Sequence, residues 1–376
     1  MKVLDIPISE ICKILDNGYI YLWGAGAALG PYMDELAKYQ NLKKVKAIVD
    51  TYAKGERTIL NRVWPIIGID VFLEQITTND LLIITTKFYE EIIELLKEKD
   101  IENKIKSCVY IYTLKSELDK KRDMVNVPQS LRSANQMLIP KTIHYCWFGN
   151  TPLPKQYKEW MLTWKEKCPD YEIIQWNESN YDVTKIPYMK EAYEARKWAF
   201  VSDYARLDII YKYGGIYLDT DVEILKNLDE LLYNEAFCGF ETSEYVAFGL
   251  GFGSVKSNHI LRTIMNIYEN MSFINNDGTF NETTCPIIQT NVLEKKGLVK
   301  NGECQIVDGM MVLPEKILCP LSAWTKRLSL NISQAYTIHH YSASWSENEK
   351  NNTGIIKRYY EDLVDEKWNN YGLNYN

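Results

Sequence analysis

Ala199–Glu223 reads AFVSDYARLDIIYKYGGIYLDTDVE, and this order of residue types sets a helix, a tight turn and a strand in succession. From Ala199 to Tyr213 the residues Ala199, Tyr204, Leu207, Ile210 and Tyr211 recur at helical spacing, with Ser202, Asp203 and Arg206 on a second face. On that face Asp203 and Arg206 are spaced as an i,i+3 surface ion pair, a contact contributing roughly a few tenths of a kcal/mol, and Ser202 is placed to cap the helix. Gly214-Gly215 supplies the left-handed residue that closes a helix C-terminus. Ile216-Tyr217-Leu218 is too short and too β-prone to continue it, so a buried strand is expected to deliver Asp219, Thr220 and Asp221 to its C-terminal end.

Two carboxylates spaced as Asp-x-Asp at a strand end can share one divalent ion. A hard cation held this way keeps its remaining positions for phosphate oxygens and water, so the pattern suits a nucleotide diphosphate as leaving group. The run Ser202–Val222 resembles the sugar-binding region of the DxD-containing glycosyltransferases, which include fungal initiating mannosyltransferases, bacterial capsule-type transferases and the large glucosylating toxins. Upstream, IPKTIHYCWFG (Ile139–Gly149) resembles that family's first strand. Downstream, HHYSASW (His339–Trp345) resembles its closing metal-site motif. The resemblance runs in the family's order from about Leu138 to Trp345.

What it implies is a GT-A-type domain with a retaining reaction. Asp203 and Arg206 are expected to face the donor sugar's hydroxyls, and Trp147 to lie beside the donor nucleotide. Asp219 and Asp221 are the expected ligands of Mn²⁺ or Mg²⁺. Adjacent strand residues face opposite ways, so one of His339 and His340 aims inward; the spacing to Ser344 and Trp345 favours His340 as the third ligand. Ser344 and Trp345 are then placed to hold the diphosphate.

The chain has 376 residues, 46% of them apolar, enough for one large or two ordinary domains with their own cores. A formal charge of −7 argues against a nucleic-acid partner. The start MKVLDIPISEICKIL lacks the basic-then-apolar order of a signal peptide, and no 18-residue apolar run occurs, so a cytoplasmic location is expected. Eight cysteines without a CxxC pair fit reduced, buried thiols rather than a disulfide frame or zinc site.

From Gly18 to about Leu114 strand and helix patterns alternate, which predicts a Rossmann-like parallel sheet over residues 1–117. Its first strand, YIYLW, leads into GAGAALG (Gly24–Gly30). Glycines there, Gly24 and Gly26 above all, let a backbone approach a phosphate at a helix N-terminus, and Asp50 is placed to bind a ribose hydroxyl. The same turn also serves close strand–helix packing without any ligand. Residues 118–137 are polar, carry Pro128 and read as a linker, which leaves 138–376 as the second domain.

Within that second domain His144 reads as a satisfied core histidine, and Trp160 and Trp164, at i and i+4, as core packing. Gly249–Gly253 reads by resemblance as the acceptor side, where small residues leave room for a sugar. Cys285-Pro286 stands where the family has Gly-Pro. The tail Gly354–Asn376 carries an aromatic stripe among charges, suited to packing on the body or to resting on a membrane surface. The chain as a whole therefore reads as α/β: a Rossmann-like module followed by a GT-A-type transferase domain. It would move a hexose from a UDP- or GDP-sugar to an oligosaccharide or lipid-linked glycan in surface or capsular polysaccharide synthesis. The competing reading is an inactive or regulatory nucleotide-sugar-binding protein; retention of both Asp-x-Asp carboxylates argues against it.

Overall fold

A computed structural model describes residues 6–342 other than 16, 27–28, 87–88, 100, 102–104 and 323–327. The described chain divides into two compact units with the boundary between Lys121 and Arg122.

In the first unit the strands are β1 (Ile20–Trp23), β2 (Val45–Val49), β3 (Gly55–Ile59), β4 (Arg62–Ile67), β5 (Leu81–Ile84) and β6 (Lys106–Val109). They form one sheet in the order β3-β4-β2-β1-β5-β6, parallel except for β3. The helices are α1 (Leu29–Lys38), α2 (Ile69–Gln75), α3 (Tyr89–Glu98) and α4 (Tyr110–Met124), the last three residues of α4 falling past the boundary. Ile20 and Leu22 pack into one apolar cluster with α1, and Tyr21 and Trp23 into another with α2 and α3. Burial on both faces explains why β1 and β5 are unbroken apolar runs rather than alternating ones. Residues 118–124 continue α4, so the polar stretch expected as linker begins as helix.

The second unit carries β7 (Thr142–Cys146), α5 (Lys155–Lys167), β8 (Glu172–Trp176), α6 (Pro187–Glu194), α7 (Trp198–Tyr213), β9 (Gly215–Tyr217) and β10 (Val222–Ile224). There follow β11 (Ala236–Thr242), β12 (Tyr245–Val246), β13 (Phe252–Ser254), α8 (His259–Glu269), α9 (Cys285–Glu294), β14 (Gln305–Val307), β15 (Met310–Leu313), α10 (Glu315–Leu318) and β16 (Thr337–His339). A mixed sheet runs β14-β15-β11-β13-β9-β7-β8, with β12 on β11 and a separate antiparallel pair β10-β16. Tyr217 points into the cluster beneath α6, α7, α8 and α9, while Ile216 and Leu218 point into the one that includes Trp164 of α5. This alternation is what period-two geometry requires of a strand covered on both sides.

Helix α7 is the centre of that architecture. Ten of its residues, Phe200, Val201 and Asp203 to Ile210, are buried, so it is enclosed nearly all round. Its exit needs two glycines: Gly214 and Gly215 have φ of 68° and 103°, and a Cβ on Gly215 would lie 2.7 Å from the Thr142 carbonyl oxygen. Among the described residues seven cysteines are free thiols, and no helix is long and apolar enough to cross a membrane.

Candidate active site

Strand β9 ends at Tyr217, and Leu218 continues alongside β7 through its N–H on the His144 carbonyl (3.1 Å). The chain then turns, with Val222 N–H on the Asp219 carbonyl (3.1 Å), before β10 begins. Asp219 and Asp221 are thereby held at the end of a buried strand on a backbone that is already hydrogen bonded. β10 pairs with β16, Val222 opposite His339, which brings the imidazole to the same place. His339 Nε2 lies 3.3 Å from Asp221 Oδ1. One donor atom each from Asp219, Asp221 and His339 lie within 4.8 Å of one another. Two carboxylates and an imidazole make a hard-to-borderline O/N set of the kind that takes a divalent cation such as Mn²⁺ or Mg²⁺. Among the described residues His339 Nδ1, Ser342 Oγ and Arg206 Nη1 are buried polar atoms without a hydrogen-bond partner, which marks this end of the sheet as built for a further charged or polar occupant.

Asp203 and Arg206 reach the same point from α7. The Arg206 guanidinium bonds the Asp203 carboxylate through Nη2, the Ser202 carbonyl through Nε at 3.1 Å, and approaches Asp219 Oδ2 with Nη1 at 3.6 Å. It also sits 5.3 Å from the Tyr217 ring centroid. The pair is not at the surface as its spacing suggested: Asp203 is 5% and Arg206 4% exposed. Burial pushes the Asp203 carboxyl above its usual range, opposed by the Arg206 charge and by a hydrogen bond from the Cys285 thiol. Burial likewise raises Asp219, reinforced by Asp221 and opposed by Arg206, His339 and the Tyr217 hydroxyl. Gly249 closes the cluster from above: a Cβ there would lie 2.6 Å from Asp219 Oδ2 and 3.1 Å from Arg206 Nη1. The turn bearing Gly249 is fixed by α9, where fully buried Gln289 accepts the Phe248 N–H at 2.9 Å.

Other expected residues take different places. His339, not His340, joins the carboxylates. His340 Nε2 instead lies in hydrogen-bond contact with the accepting Glu223 Oε2 at 2.9 Å, and its ring stacks on Trp160, ring centroids 4.1 Å apart. The two imidazoles take different partners, His339 Nε2 lying 3.3 Å from Asp221 Oδ1 and His340 Nε2 lying against Glu223. Ser202 lies inside α7 rather than capping it, its hydroxyl on the Trp198 carbonyl (3.1 Å). Trp147 leaves the end of β7 with its indole N–H on the Thr151 carbonyl (2.6 Å) and its ring edge-on to Tyr157. Ser344, Trp345 and the tail from Gly354 lie outside the described residues. In the first unit, Gly24 has φ 120° and its carbonyl accepts the Thr85 hydroxyl at 3.0 Å, while a Cβ on Gly26 would meet nothing within 4 Å. Asp50, expected at a ribose, spends its carboxylate on the backbone N–H groups of Ala25, Tyr52 and Ala53. Gln289 escaped the sequence reading because a glutamine inside a helix carries no spacing signal.

A mixed α/β sheet that sets an Asp-x-Asp pair at a strand end, backed by a buried Asp–Arg pair, defines the class of site. Residues 154–238 match the family model described as "Glycosyltransferase sugar-binding region containing DXD motif". The chain is 31% identical over 133 residues to inositol phosphoceramide mannosyltransferase 3 of Schizosaccharomyces pombe, covering 34% of this chain and 36% of that protein. It is 30% identical over 106 residues to the initiation-specific alpha-1,6-mannosyltransferase of Candida albicans, covering 26% and 28% respectively. Over 141 residues it is 28% identical to subversion of eukaryotic traffic protein A of Legionella pneumophila, covering 30% and 21%. The chain thus spans about a third or less of the length of these relatives. Among solved structures it is similar to the PaToxG glycosyltransferase, at 15% identity and a TM-score of 0.36, covering 55% of this chain and 78% of that one.

Proposed function

We propose that this chain is a metal-dependent, retaining glycosyltransferase that moves a hexose from a nucleotide-diphosphate sugar to a glycan hydroxyl. The observation that carries the reading is the Arg206–Asp219 contact, which joins the buried Asp203–Arg206 pair to the Asp219, Asp221 and His339 cluster. A divalent cation at those three residues, Mn²⁺ or Mg²⁺, supplies positive charge against the diphosphate. Arg206, whose buried Nη1 has no hydrogen-bond partner among the described residues, adds fixed positive charge that needs no reorganisation. Asp203, oriented by Arg206 and the Cys285 thiol, accepts hydrogen bonds from donor hydroxyls. In a front-face reaction the bond from the anomeric carbon to the diphosphate oxygen breaks, the acceptor oxygen bonds to that carbon on the same face, and the acceptor proton passes to the departing phosphate.

A UDP-sugar is the favoured donor, and the mannosyltransferase names among the relatives put mannose among the hexoses to test. The acceptor we propose is an oligosaccharide or lipid-linked glycan of surface or capsular polysaccharide synthesis, met in the cytoplasm or at the inner face of the membrane. Nucleotide release from a panel of UDP- and GDP-sugars with Mn²⁺ tests the reading. Activity with one donor that vanishes in EDTA and falls on the order of a thousandfold in Asp221→Asn supports it. Undiminished turnover in both would overturn it.

A further inference from the structure

We propose that Tyr341 is a positioning residue for the cation site, a role that rests on the reading of Asp219, Asp221 and His339 as its ligands. Tyr341 has φ 52°, left-handed backbone that an aromatic residue adopts only when its surroundings enforce it. Its side chain is anchored at both ends. Its hydroxyl lies 2.7 Å from the Sγ of fully buried Cys319, and its ring meets the His339 ring edge-on at 4.4 Å between centroids.

The reversal at Tyr341 decides where its neighbours' N–H groups go. On one side His340 donates its backbone N–H to the Asp221 carbonyl at 3.0 Å. On the other Ser342 donates its own to Asp221 Oδ2 at 2.9 Å. The chain therefore wraps a single residue, holding Asp221 by backbone and by carboxylate. Oδ2 is occupied by this bond while Oδ1 is the oxygen 3.3 Å from His339 Nε2. An extended residue at 341 would send the Ser342 N–H away from Asp221, freeing the carboxylate to rotate. The same ring sets the tilt of the His339 imidazole. One side chain thus orients two of the three ligands, and it does so through contacts that leave it outside the ligand set, as supporting groups around metal sites do.

The test is calorimetric titration of Mn²⁺ into the full chain without donor, for wild type, Tyr341→Phe and Tyr341→Asn, each with its melting curve. Asparagine tolerates left-handed backbone but lacks the ring and hydroxyl; phenylalanine keeps the ring and loses the hydroxyl that meets Cys319. Tyr341→Asn is expected to weaken Mn²⁺ on the order of 10- to 100-fold, and Tyr341→Phe by less, as loss of a supporting contact does. Cys319→Ala, which removes the same bond from its other end, should match Tyr341→Phe and serves if Tyr341→Asn does not fold. Affinities within twofold of wild type in all folded variants, with only the melting temperature lowered, would make Tyr341 a structural residue and overturn the proposal. Failure of wild type itself to bind Mn²⁺ would instead overturn the cation reading on which it rests.

Discussion

At the scale of single residues, the Asp203–Arg206 pair shows what burial does to an ordinary spacing. Three residues apart on a helix, the two would contribute little if exposed, and removing either would be nearly silent. Both are instead enclosed, and breaking such a pair costs up to about 3–5 kcal/mol, reduced here by the Asp219 carboxylate that stays 3.6 Å from Nη1. Asp203→Ala is therefore expected to lower stability by up to that amount in urea unfolding, besides abolishing transfer; a loss under about 1 kcal/mol would show that water reaches the guanidinium. Gly249 makes a contrasting prediction. Its φ is not in the left-handed region, so alanine suits its backbone, but the new methyl would press on Asp219 Oδ2 and Arg206 Nη1. Gly249→Ala should leave the melting temperature within a few degrees while weakening Mn²⁺ about tenfold. Unchanged Mn²⁺ affinity would mean that the Phe248–Leu250 turn simply moves aside.

Elements explain which of these features could be read from the sequence. The succession of α7, Gly214-Gly215 and β9 follows from periodicity and glycine placement, and the structure sets these elements within one residue of the expected bounds. Periodicity sees faces, however, not what covers them. The polar face of α7 looks solvated until α6, α8, α9 and β7 close around it, which is a fact of tertiary assembly. The choice between His339 and His340 has the same origin, since alternation shows that one of them faces inward and only the folded contacts, His339 on Asp221 and His340 on Glu223, show which. The β7–β9 junction adds a pH-dependent property. His144, fully buried, binds the Gly214 carbonyl at 3.0 Å and takes the Trp176 indole N–H at 3.1 Å, so it is held neutral. Burial pushes its pKa down to about 4 from 6.5, against the opposing pull of the Gly214 carbonyl. Because the folded value is the lower one, the unfolded chain takes up the proton first as pH falls. The stabilisation is complete above about pH 6.5 and is lost progressively toward pH 4. Between pH 7 and 5 this amounts to about 2 kcal/mol. Urea midpoints should fall over that interval in wild type and fall less in His144→Gln; parallel slopes would show that His144 is not the group responsible.

For the whole molecule, the division at Lys121–Arg122 separates the glycine turn of the first unit from every residue placed in the transferase site. Where to cut is a matter of what the start of the second unit touches. Arg122 Nη1 lies 3.7 Å from Glu315 Oε1, Lys316 Nζ reaches the Asp123 carbonyl, and the Leu330 N–H reaches Asp123 Oδ1. Leu131 is buried in the second unit's core, its N–H on Glu230 and its carbonyl on the Asn234 amide. A chain beginning at Ser130, the start that the polar stretch suggests, keeps Leu131 but loses the contacts of Arg122 and Asp123. A chain beginning at Arg122 keeps all of them and is expected to melt higher than the Ser130 chain and to bind UDP with Mn²⁺. Gly26→Val in the full chain should leave that binding unchanged, because Gly26 belongs to the other unit and the added side chain enters open space there. Any ligand seated at that turn would be displaced by the same substitution, since a valine fills the room a phosphate needs. Calorimetric titration of UDP with Mn²⁺ into wild type, both shortened chains and Gly26→Val checks the assignment. If the Arg122 chain folds yet no longer binds UDP, and Gly26→Val loses it as well, the nucleotide site lies in the first unit and the assignment to the Asp219 cluster fails.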